Sequence, residues 1–311
     1  MIRLDAVTLK QLRALLAVQA QGSLTAAAEA IGQTTPAIHS QIKNLEAAIG
    51  VPLVMRAPDG GRMQVTSEGA EIVLAATRIE AILSQAARQI RAKATGKVGH
   101  VVLSVVSTAK YFAPRLVRML NDRCPTIEVA LRVGNRDQVI ADLEQRRCGL
   151  AIMGRPPRAP LLESVPLGPH PHGVILPAGH PLALGDGFDP DALVHETFLS
   201  REPGSGTRIL MQRFLDRLAE GHPVRLIEMD SNETIKQAVL AGLGVAFLSL
   251  HTVQDEVKAG RLVALRGPHL PVMRHWYLVW PAALAPDPAA ARVTQEIEAL
   301  NGVYLPAVAS P

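Results

Sequence analysis

The chain has 311 residues, and its 32 Lys and Arg against 28 Asp and Glu give a formal net charge of +4. Hydrophobic residues make up 48% and charged residues 19%, a balance that excludes an intrinsically disordered protein. Cys124 and Cys148 show no CxxC spacing, the amino terminus lacks the apolar core of a signal peptide, and no apolar run is long enough to span a bilayer. A cytoplasmic protein without a disulfide framework or a membrane contact is therefore expected.

The basic excess lies in the first third of the chain. Residues 1–97 contain 11 Lys and Arg against 7 Asp and Glu, and the remainder carries 21 groups of each sign. A polyanionic partner such as DNA suits this segment, because a basic face releases counterions from the duplex. An excess of this size is also common on ordinary surfaces, so charge alone leaves both interpretations open.

Short helices are predicted at the amino terminus. The stripe Leu9, Leu12 and Leu16 predicts a helix that ends at Gly22, and Ser23 caps an alanine-rich second helix. A third helix begins at Thr35, with a proline in its first turn. Its buried stripe is Ile38, Ile42, Leu45 and Ile49. Residues 53–66, with a Pro-Asp-Gly-Gly turn at 58–61, predict a two-stranded wing, which completes a winged helix-turn-helix.

One long helix is predicted at about 67–93, followed by a hinge at 95–97. Its apolar residues are spaced 4, 3, 4, 3 and 4 apart, as in a coiled-coil seam, and they are Ile72, Ala76, Ile79, Leu83, Ala86 and Ile90. We expect this seam to form a dimer interface; packing of the helix against its own domain is the alternative.

From residue 98 onward, short apolar strands alternate with helices. Strands are expected at 101–106, 128–133, 150–153, 173–176, 225–229, 245–249 and 275–279. Helices are expected at about 110–122, 135–146, 206–219, 232–241 and 287–300. This alternation predicts an α/β fold with mostly parallel sheets.

The segment TTPAIHSQIKNLEAAIGVPLVMR, which begins at Thr34, resembles the winged helix-turn-helix of LysR-type transcriptional regulators, as does VTSEGAEI after it. The positions that match the family pattern are Pro36, Ala37, Gln41, Ile42, Leu45, Glu46, Gly50 and Leu53. The remainder is similar to the CbbR-type regulators of carbon-dioxide-fixation operons. The matching stretches KYFAP, VGNR, AIMGRPP, REPGSGTR and SNETIKQAV begin at residues 110, 133, 151, 201 and 231.

The resemblance implies an architecture and a set of partners. It implies a winged helix-turn-helix at 1–66, a linker and dimerisation helix with hinge at 67–96, and an effector-binding domain at 97–311. That domain would be periplasmic-binding-protein-like, with lobe I at about 98–168 and 274–301 and lobe II at about 169–273. A homodimer or homotetramer on double-stranded promoter DNA, in contact with RNA polymerase and without enzymatic activity or a cofactor, is expected.

The outward face of the third helix is expected to enter the major groove. At about 100° per residue, this face carries Pro36, His39, Ser40 and Lys43. LysR-type relatives usually have Ser in place of His39 and often Arg in place of Ser40, which puts the base preference in doubt. The fold itself is unaffected by these departures.

Four further residues are candidates for contact with the DNA backbone. Thr34 and Thr35 stand at a helix start, where amides and hydroxyls suit a phosphate; a plain helix cap is the alternative. Arg56 and Arg62 flank the wing and could reach the backbone or the minor groove.

An effector site is expected where strands end and helix amino termini point inward. The candidate residues are Ser107, Thr108, Lys110, Asn135, Arg136, Arg155, Arg201, Glu202, Ser205, Gly206, Thr207, Arg208, Asn232, Glu233 and Thr234. The glycine-rich turn between Arg201 and Arg208 is suited to an anion. Alternatively, Ser205 or Thr207 merely caps its helix and Arg208 pairs with a carboxylate.

The sequence thus predicts a transcriptional regulator, an activator of carbon-fixation genes that responds to a small anionic metabolite, either phosphorylated or NADPH. A LysR-type regulator of another pathway with a carboxylate effector is the first alternative. An α/β enzyme with an amino-terminal interaction module is the second, although no nucleophile–base constellation accompanies Glu202 and Glu233. His170, His172 and His180 form no closed ligand set, so no metal is expected.

Overall fold

The computed structural model describes residues 2–57, 62–94, 98–184, 189–282 and 287–307. The chain divides into two compact units, Met1–Ala87 and Arg88–Pro311. The wing turn at 58–61 and the hinge at 95–97 lie outside the described residues. The domain and lobe boundaries expected from the sequence remain predictions.

The first unit is a winged helix-turn-helix, as predicted. Its elements are a 3-10 turn (Leu4–Ala6), α1 (Leu9–Gln21), α2 (Leu24–Ala30), α3 (Thr35–Ile49), β1 (Val54–Arg56), β2 (Met63–Val65) and most of α4 (Ser67–Ala94). The residues of α4 from Arg88 onward belong to the second unit. The antiparallel strands β1 and β2 form the wing. Ser23 caps α2 by accepting the amide of Ala26, and Gly22 before it takes the left-handed conformation that ends α1.

The core of this unit follows the predicted stripe on α3. Ile38, Ile42, Leu45 and Ile49 are all buried. On α1 the buried face differs from the one expected from the sequence by part of a helical turn. Leu9 is exposed and Leu16 only half-buried, because Leu15 and Val18, together with Leu12, face the core instead.

The first residues of the apolar stripe on the long helix α4 pack against the core of the first unit. Ala76 is fully buried in the helical core, and Ile72 packs against that core. The expectation that Ala76 lies in a dimer seam is therefore wrong. The rest of the stripe stays a predicted interface, since Ile79, Leu83 and Ile90 expose 37%, 40% and 68% of their surface. Ala86 is also exposed.

The second unit is an α/β domain. Its strands are β3 (Gly99–Val106), β4 (Ile127–Gly134), β5 (Leu150–Met153), β6 (Leu162–Pro177), β7 (Thr197–Arg201), β8 (Arg225–Met229), β9 (Val245–Ser249), β10 (Leu262–Ala264) and β11 (Val272–Pro281). Its helices are α5 (Ala113–Arg123), α6 (Arg136–Glu144), α7 (Pro181–Leu184), α8 (Pro190–Val194), α9 (Gly206–Leu218), α10 (Asn232–Leu240), α11 (Gln254–Lys258) and α12 (Pro288–Ala299). Short 3-10 turns occupy Ser107–Tyr111 and Leu250–Thr252.

The strands follow the order β4-β3-β5-β11-β6-β9-β7-β8, with β10 paired to β6. Pairing is parallel within β4-β3-β5 and within β9-β7-β8. It is antiparallel at β5-β11, β11-β6, β6-β9 and β6-β10. The expected parallel sheet is thus confirmed inside each lobe and wrong at the centre, where β6 and β11 carry the chain between the lobes.

Each lobe has its own apolar core. In the first lobe Phe112 packs against Trp276 and Tyr304, with ring centroids 5.1 and 5.9 Å away. In the second lobe Phe198 and Phe247 lie in a separate buried cluster. Two cores joined by crossing strands form a two-lobed domain with a cleft between the lobes. Among the described helices, none has the length and hydropathy that crossing a bilayer requires.

Candidate effector site and DNA-binding surface

A cavity of about 150 Å³ lies between the two lobes. Its walls come from the ends of β3 and β5, the starts of α6 and α9, and the crossing strands β6 and β11. The lining residues are Val106, Ser107, Thr108, Asn135, Arg136, Gly154, Arg155, His170, His172, Ser205, Gly206, Thr207, Ile209, Leu210, Arg213 and Arg274. No carboxylate stands among these lining residues.

The amino terminus of α9 lines this cavity with Ser205, Gly206 and Thr207. Ser205 occupies the cap position and is 3% exposed, yet its side chain makes no capping hydrogen bond. The alternative in which Ser205 serves as a helix cap is therefore not what the structure shows. The hydroxyls of Ser205 and Thr207, together with the first amides of a 13-residue helix, form one wall that suits an anion.

Arginines converge on the same cavity. Arg136 at the start of α6 donates to the carbonyl oxygen of Arg155 at 2.7 Å. Burial lowers the pKa of Arg136, and the cations of Arg155 and Arg213 lower it further, against the opposite effect of Asp137. Arg274 enters from β11. A site with several cations and no carboxylate in its lining is electrostatically arranged for a negatively charged ligand.

The floor of the cavity contains buried histidines. His170 and His172 are 4% and 2% exposed, and the ring of His170 stacks on Trp276 at 3.6 Å. Burial lowers the pKa of His170 well below its usual value and that of His172 to about 3, so both rings are neutral at physiological pH. Within the described residues no group of three or more His, Cys, Asp or Glu could hold a metal ion.

Arg201, Glu202 and Asn232 were expected to bind the effector, but they do not line the cavity. Arg201 is 3% exposed and donates to both carboxylate oxygens of Glu202, at 2.6 and 2.8 Å. Its remaining nitrogen donates to Asn232 Oδ1 at 2.5 Å and to Ser107 Oγ at 3.2 Å. Glu202 in turn accepts from Asn135 at 3.3 Å. These residues link the two lobes beside the cavity.

Lys110 and Glu233 form a second link between the lobes. Glu233 on α10 accepts hydrogen bonds from Lys110 and from the hydroxyl of Tyr111. Thr234 is exposed and pairs with Ser231. Lys110, Glu233 and Thr234 are therefore absent from the lining of the described cavity. The sequence predicted all three as effector-binding residues, whereas the structure pairs them with other side chains of the protein.

Arg208 does not face the cavity either. Its guanidinium pairs with Glu228 and donates to the carbonyl oxygen of Arg201 at 2.9 Å. The alternative in which Arg208 pairs with a nearby carboxylate is what the structure shows, because the first turn of α9 directs this side chain toward β8. Arg213 and Arg274 line the cavity instead, and sequence reasoning missed both.

The outward face of α3 is exposed in the first unit. Pro36, His39, Ser40 and Lys43 are all accessible, as the helical periodicity predicted. Lys43 Nζ lies 3.0 Å from the carboxylate of Glu46. These four residues are thus available for a major-groove contact.

The remaining candidates surround this helix. Thr34 is exposed and accepts the amide of Ala37 at 3.4 Å, so its hydroxyl caps α3, and Thr35 is half-buried. Arg56 and Arg62 are exposed on the wing strands or next to them. The described residues present these groups on the surface, and their contact with DNA remains a prediction.

Comparison with protein families agrees with this architecture. The family described as "Bacterial regulatory helix-turn-helix protein, lysR family" matches residues 9–70. The family "LysR substrate binding domain" matches residues 94–301. The HTH-type transcriptional regulator CbbR of Cereibacter sphaeroides is 59% identical over 307 residues, covering 98% of this chain and 99% of that protein. CbbR of Xanthobacter flavus is 45% identical over 273 residues, covering 88% and 81%.

Solved structures show the same fold. The regulatory domain of CcmR from Synechocystis PCC6803, in complex with 2-PG, has a TM-score of 0.61 and 34% identity, covering 66% of this chain and 98% of that one. Full-length CbnR complexed with its target DNA has a TM-score of 0.67 and 21% identity, covering 94% and 99%. The latter likeness bears on fold alone.

Proposed function

This chain belongs to the LysR family of bacterial transcriptional regulators, and we propose that it controls carbon-fixation genes in response to a phosphorylated metabolite. The observation that carries this proposal is the cavity between the lobes, where Arg136, Arg155, Arg213 and Arg274 converge without a lining carboxylate. The CbbR regulators that it resembles over nearly its whole length support the choice of genes. Its relatives are named transcriptional regulators, not enzymes.

The size and chemistry of the cavity favour a compact phosphorylated acid. A cavity of about 150 Å³ holds a molecule on the scale of benzene. A dinucleotide such as NADPH is far larger, so the cavity as it stands favours a smaller ligand. The CcmR regulatory domain in complex with 2-PG, at 34% identity, supports a ligand of this class.

In the first unit, we assign DNA reading to α3 and the wing. Pro36, His39, Ser40 and Lys43 would face base edges in the major groove. Thr34, Thr35, Arg56 and Arg62 would contact the backbone or the minor groove, as expected from the sequence. The exposed Ile79, Leu83 and Ile90 of α4 would join two protomers, since an apolar stripe of this kind is covered in a dimer. A tetramer and a contact with RNA polymerase belong to the same proposal.

Ligand binding would act by population shift. The links Asn135–Glu202, Ser107–Arg201 and Lys110–Glu233 hold the lobes together beside the cavity. An anion between the lobes would stabilise the arrangement in which the α6 and α9 ends both contact it. The ligand thereby favours one state of the sensor, and DNA affinity follows through thermodynamic coupling.

The test is DNA binding by the full chain, measured by fluorescence anisotropy on a labelled duplex from upstream of a carbon-fixation operon. We expect specific binding about a thousandfold or more tighter than to a scrambled duplex, falling steeply with salt. A phosphorylated metabolite should change that affinity, and a plain carboxylate should not. Equal affinity for the scrambled duplex would contradict a regulatory function. A response to carboxylates alone would assign the chain to another pathway.

A further inference from the structure

A short turn of the first lobe joins the cavity wall to the second lobe. The 3-10 turn Ser107–Tyr111 follows β3, and its first two residues, Ser107 and Thr108, line the cavity. Thr108 and Ala109 are buried, which fixes the turn in place. Its last residue, Tyr111, is absent from the cavity lining and contacts α10 of the second lobe. The position of Tyr111 is therefore tied to that of the cavity wall.

Charged side chains of the second lobe receive Tyr111. Its hydroxyl donates to the carboxylate of Glu233, which also accepts from Lys110. The ammonium of Lys236 lies 5.4 Å from the centroid of the Tyr111 ring, within the range of a cation–π contact. Glu256 pairs with Lys236 at 3.0 Å, and both of these side chains are largely buried. The second lobe thus holds one acceptor and one cation ready for the tyrosine of the first lobe.

The tyrosine contributes more to this contact than the lysine beside it. The side chains of Lys110 and Glu233 expose 34% and 43% of their surface, so water screens their ion pair and makes it weak. Tyr111 is half-buried, and its hydrogen bond to a charged carboxylate is the stronger of the two. Burial raises the pKa of Tyr111 and the Glu233 carboxylate raises it further, so the hydroxyl keeps the proton that it donates.

We propose that Tyr111 and Glu233 are positioning residues for the effector, forming a latch that holds the two lobes in the binding arrangement before the ligand arrives. Both residues are absent from the cavity lining, so the latch acts without touching the ligand. It acts through the lobes, because apparent affinity falls in proportion to the fraction of chains in the binding arrangement. This inference rests on the proposed function, since it takes the cavity as the effector site.

Two conservative variants weaken the latch while they preserve the packing around it. Tyr111→Phe keeps the ring over Lys236 and loses only the hydroxyl. Glu233→Gln keeps the shape of the side chain and loses its charge. Asp122→Asn is the matched control, because Asp122 accepts from Arg118 on the same helix, wholly within the first lobe.

The first measurement is the distance between the lobes in the ligand-free full chain, by double electron–electron resonance. Spin labels on Asn121→Cys of α5 and Gln212→Cys of α9 report this distance, since both positions are exposed. Cys124 and Cys148 are buried and so leave the labels to the introduced thiols. Dilution with unlabelled chains restricts the signal to one protomer. We expect a single distance in the unmodified chain and in the control, and a second, longer component in both latch variants.

Calorimetric titration with phosphoglycolate, or with ribulose bisphosphate if phosphoglycolate does not bind, measures the effect on the ligand. We expect each latch variant to bind about 3- to 10-fold more weakly, the scale of a partly exposed hydrogen bond to a charged group, and the control to stay within about twofold. Combining Tyr111→Phe with Glu233→Gln should add little, since both remove the same contact. At saturating ligand the DNA affinity of the variants should equal that of the unmodified chain, whereas a general structural defect would lower it at every ligand concentration.

The two measurements separate this inference from the proposed function. An unchanged distance distribution in both variants would overturn the latch, because a loss of affinity without lobe movement would mean direct contact with the ligand. A longer component with unchanged affinity would overturn it as well, since open chains would then bind equally well. If neither compound binds the unmodified chain, the phosphorylated effector is wrong, and the distance distribution alone decides whether Tyr111 and Glu233 hold the lobes.

Discussion

The carboxylate of Glu46 accepts the backbone amide of Leu53 at 2.9 Å and thereby joins α3 to the wing. Its second oxygen lies 3.0 Å from Lys43 Nζ. Burial raises the pKa of Glu46, but the amides of Leu53 and Val54 and the Lys43 ammonium outweigh it, and the net shift is downward. The Glu46 side chain thus holds α3 against the start of the wing.

Glu46→Gln should weaken the first unit and its DNA binding. The amide loses the charge that favours both contacts, which costs about 1–2 kcal/mol of stability for a hydrogen bond to a charged group. Urea unfolding of the variant, followed by far-UV circular dichroism, measures the loss of stability. Glu29→Gln is the control, because Glu29 is exposed on α2. Equal stability of the two variants would contradict this role for Glu46.

Arg208 and Arg213 on α9 should behave differently toward the effector. Arg208 is held by Glu228, whereas Arg213 lines the cavity. We expect Arg213→Gln to weaken phosphorylated ligands about tenfold or more, the scale of one charge-assisted contact, and Arg208→Gln to leave their affinity within about twofold. Calorimetric titration measures both. A loss of affinity greater than about twofold in Arg208→Gln would show that Arg208 does contribute to ligand binding.

Arg201 should matter more to stability than any exposed arginine. Its removal in Arg201→Met leaves the Glu202 carboxylate without its cation, with only the Asn135 amide still donating to it, and removes the donor to Asn232 Oδ1. Breaking a buried pair in this way costs about 3–5 kcal/mol. Arg118→Met, in an exposed pair with Asp122, should cost less than about 1 kcal/mol. Urea unfolding followed by tryptophan fluorescence compares them. A cost for Arg201→Met no larger than the control's would refute the buried link.

The buried histidines predict a loss of stability on mild acidification. Burial lowers the pKa of His172 to about 3 and that of His251 to about 4, against an ordinary value of 6.5. The unfolded chain therefore binds protons that the folded chain does not, and stability falls as the pH drops from about 6.5 toward 4. The charges of His251 and Arg274 lower the pKa of His172 further, whereas the hydrogen bond between its ring and the carbonyl oxygen of His170 raises it.

Intrinsic fluorescence isolates this effect. Both tryptophans of the chain, Trp276 and Trp280, lie on β11, so their signal reports unfolding of the second unit. We expect the urea concentration at the unfolding midpoint to decrease as the pH is lowered from about 6.5 to 5. Ordinary carboxylates are still ionised in this range and do not contribute to the decrease. His251→Gln should reduce this slope, and the exposed His275→Gln should not. A midpoint that is constant over this range would count against neutral buried rings.

Local signals were enough to predict the longer helices of this chain, whereas the short helices α7, α8 and α11 were not predicted. Ser23, Gly22 and the stripe from Ile38 to Ile49 define α1–α3 through caps and periodicity, which act within a few residues. Among the strands, β7 and β10 were not predicted, and the sequence indicated only residues 173–176 of β6. Pro166, Pro169 and Pro171 lie in the first half of β6, which pairs with β11 on one side only among the described residues. A proline nitrogen is tolerated at such an unpaired side.

The sequence predicted which chain segments reach the cavity, but not which of their side chains point into it. Ser107, Thr108, Asn135, Arg136, Arg155, Ser205, Gly206 and Thr207 were expected from the sequence and all line the cavity. Arg208 was not distinguishable from Arg213, because which face of α9 points inward depends on packing against β7 and β9. Arg274 reaches the cavity only through the pairing of β11 with β6, which no local pattern encodes.

The most direct test of the central claim is thermal unfolding of the full chain, followed by tryptophan fluorescence, against a panel of metabolites. The panel contains phosphoglycolate, ribulose bisphosphate, phosphoenolpyruvate, NADPH, and plain carboxylic and amino acids. We predict a concentration-dependent rise with the compact phosphorylated compounds, by mass-action linkage, which disappears in Arg136→Gln combined with Arg213→Gln. A rise with plain carboxylates alone, or one that persists in the double variant, would contradict an arginine-lined site for a phosphorylated effector.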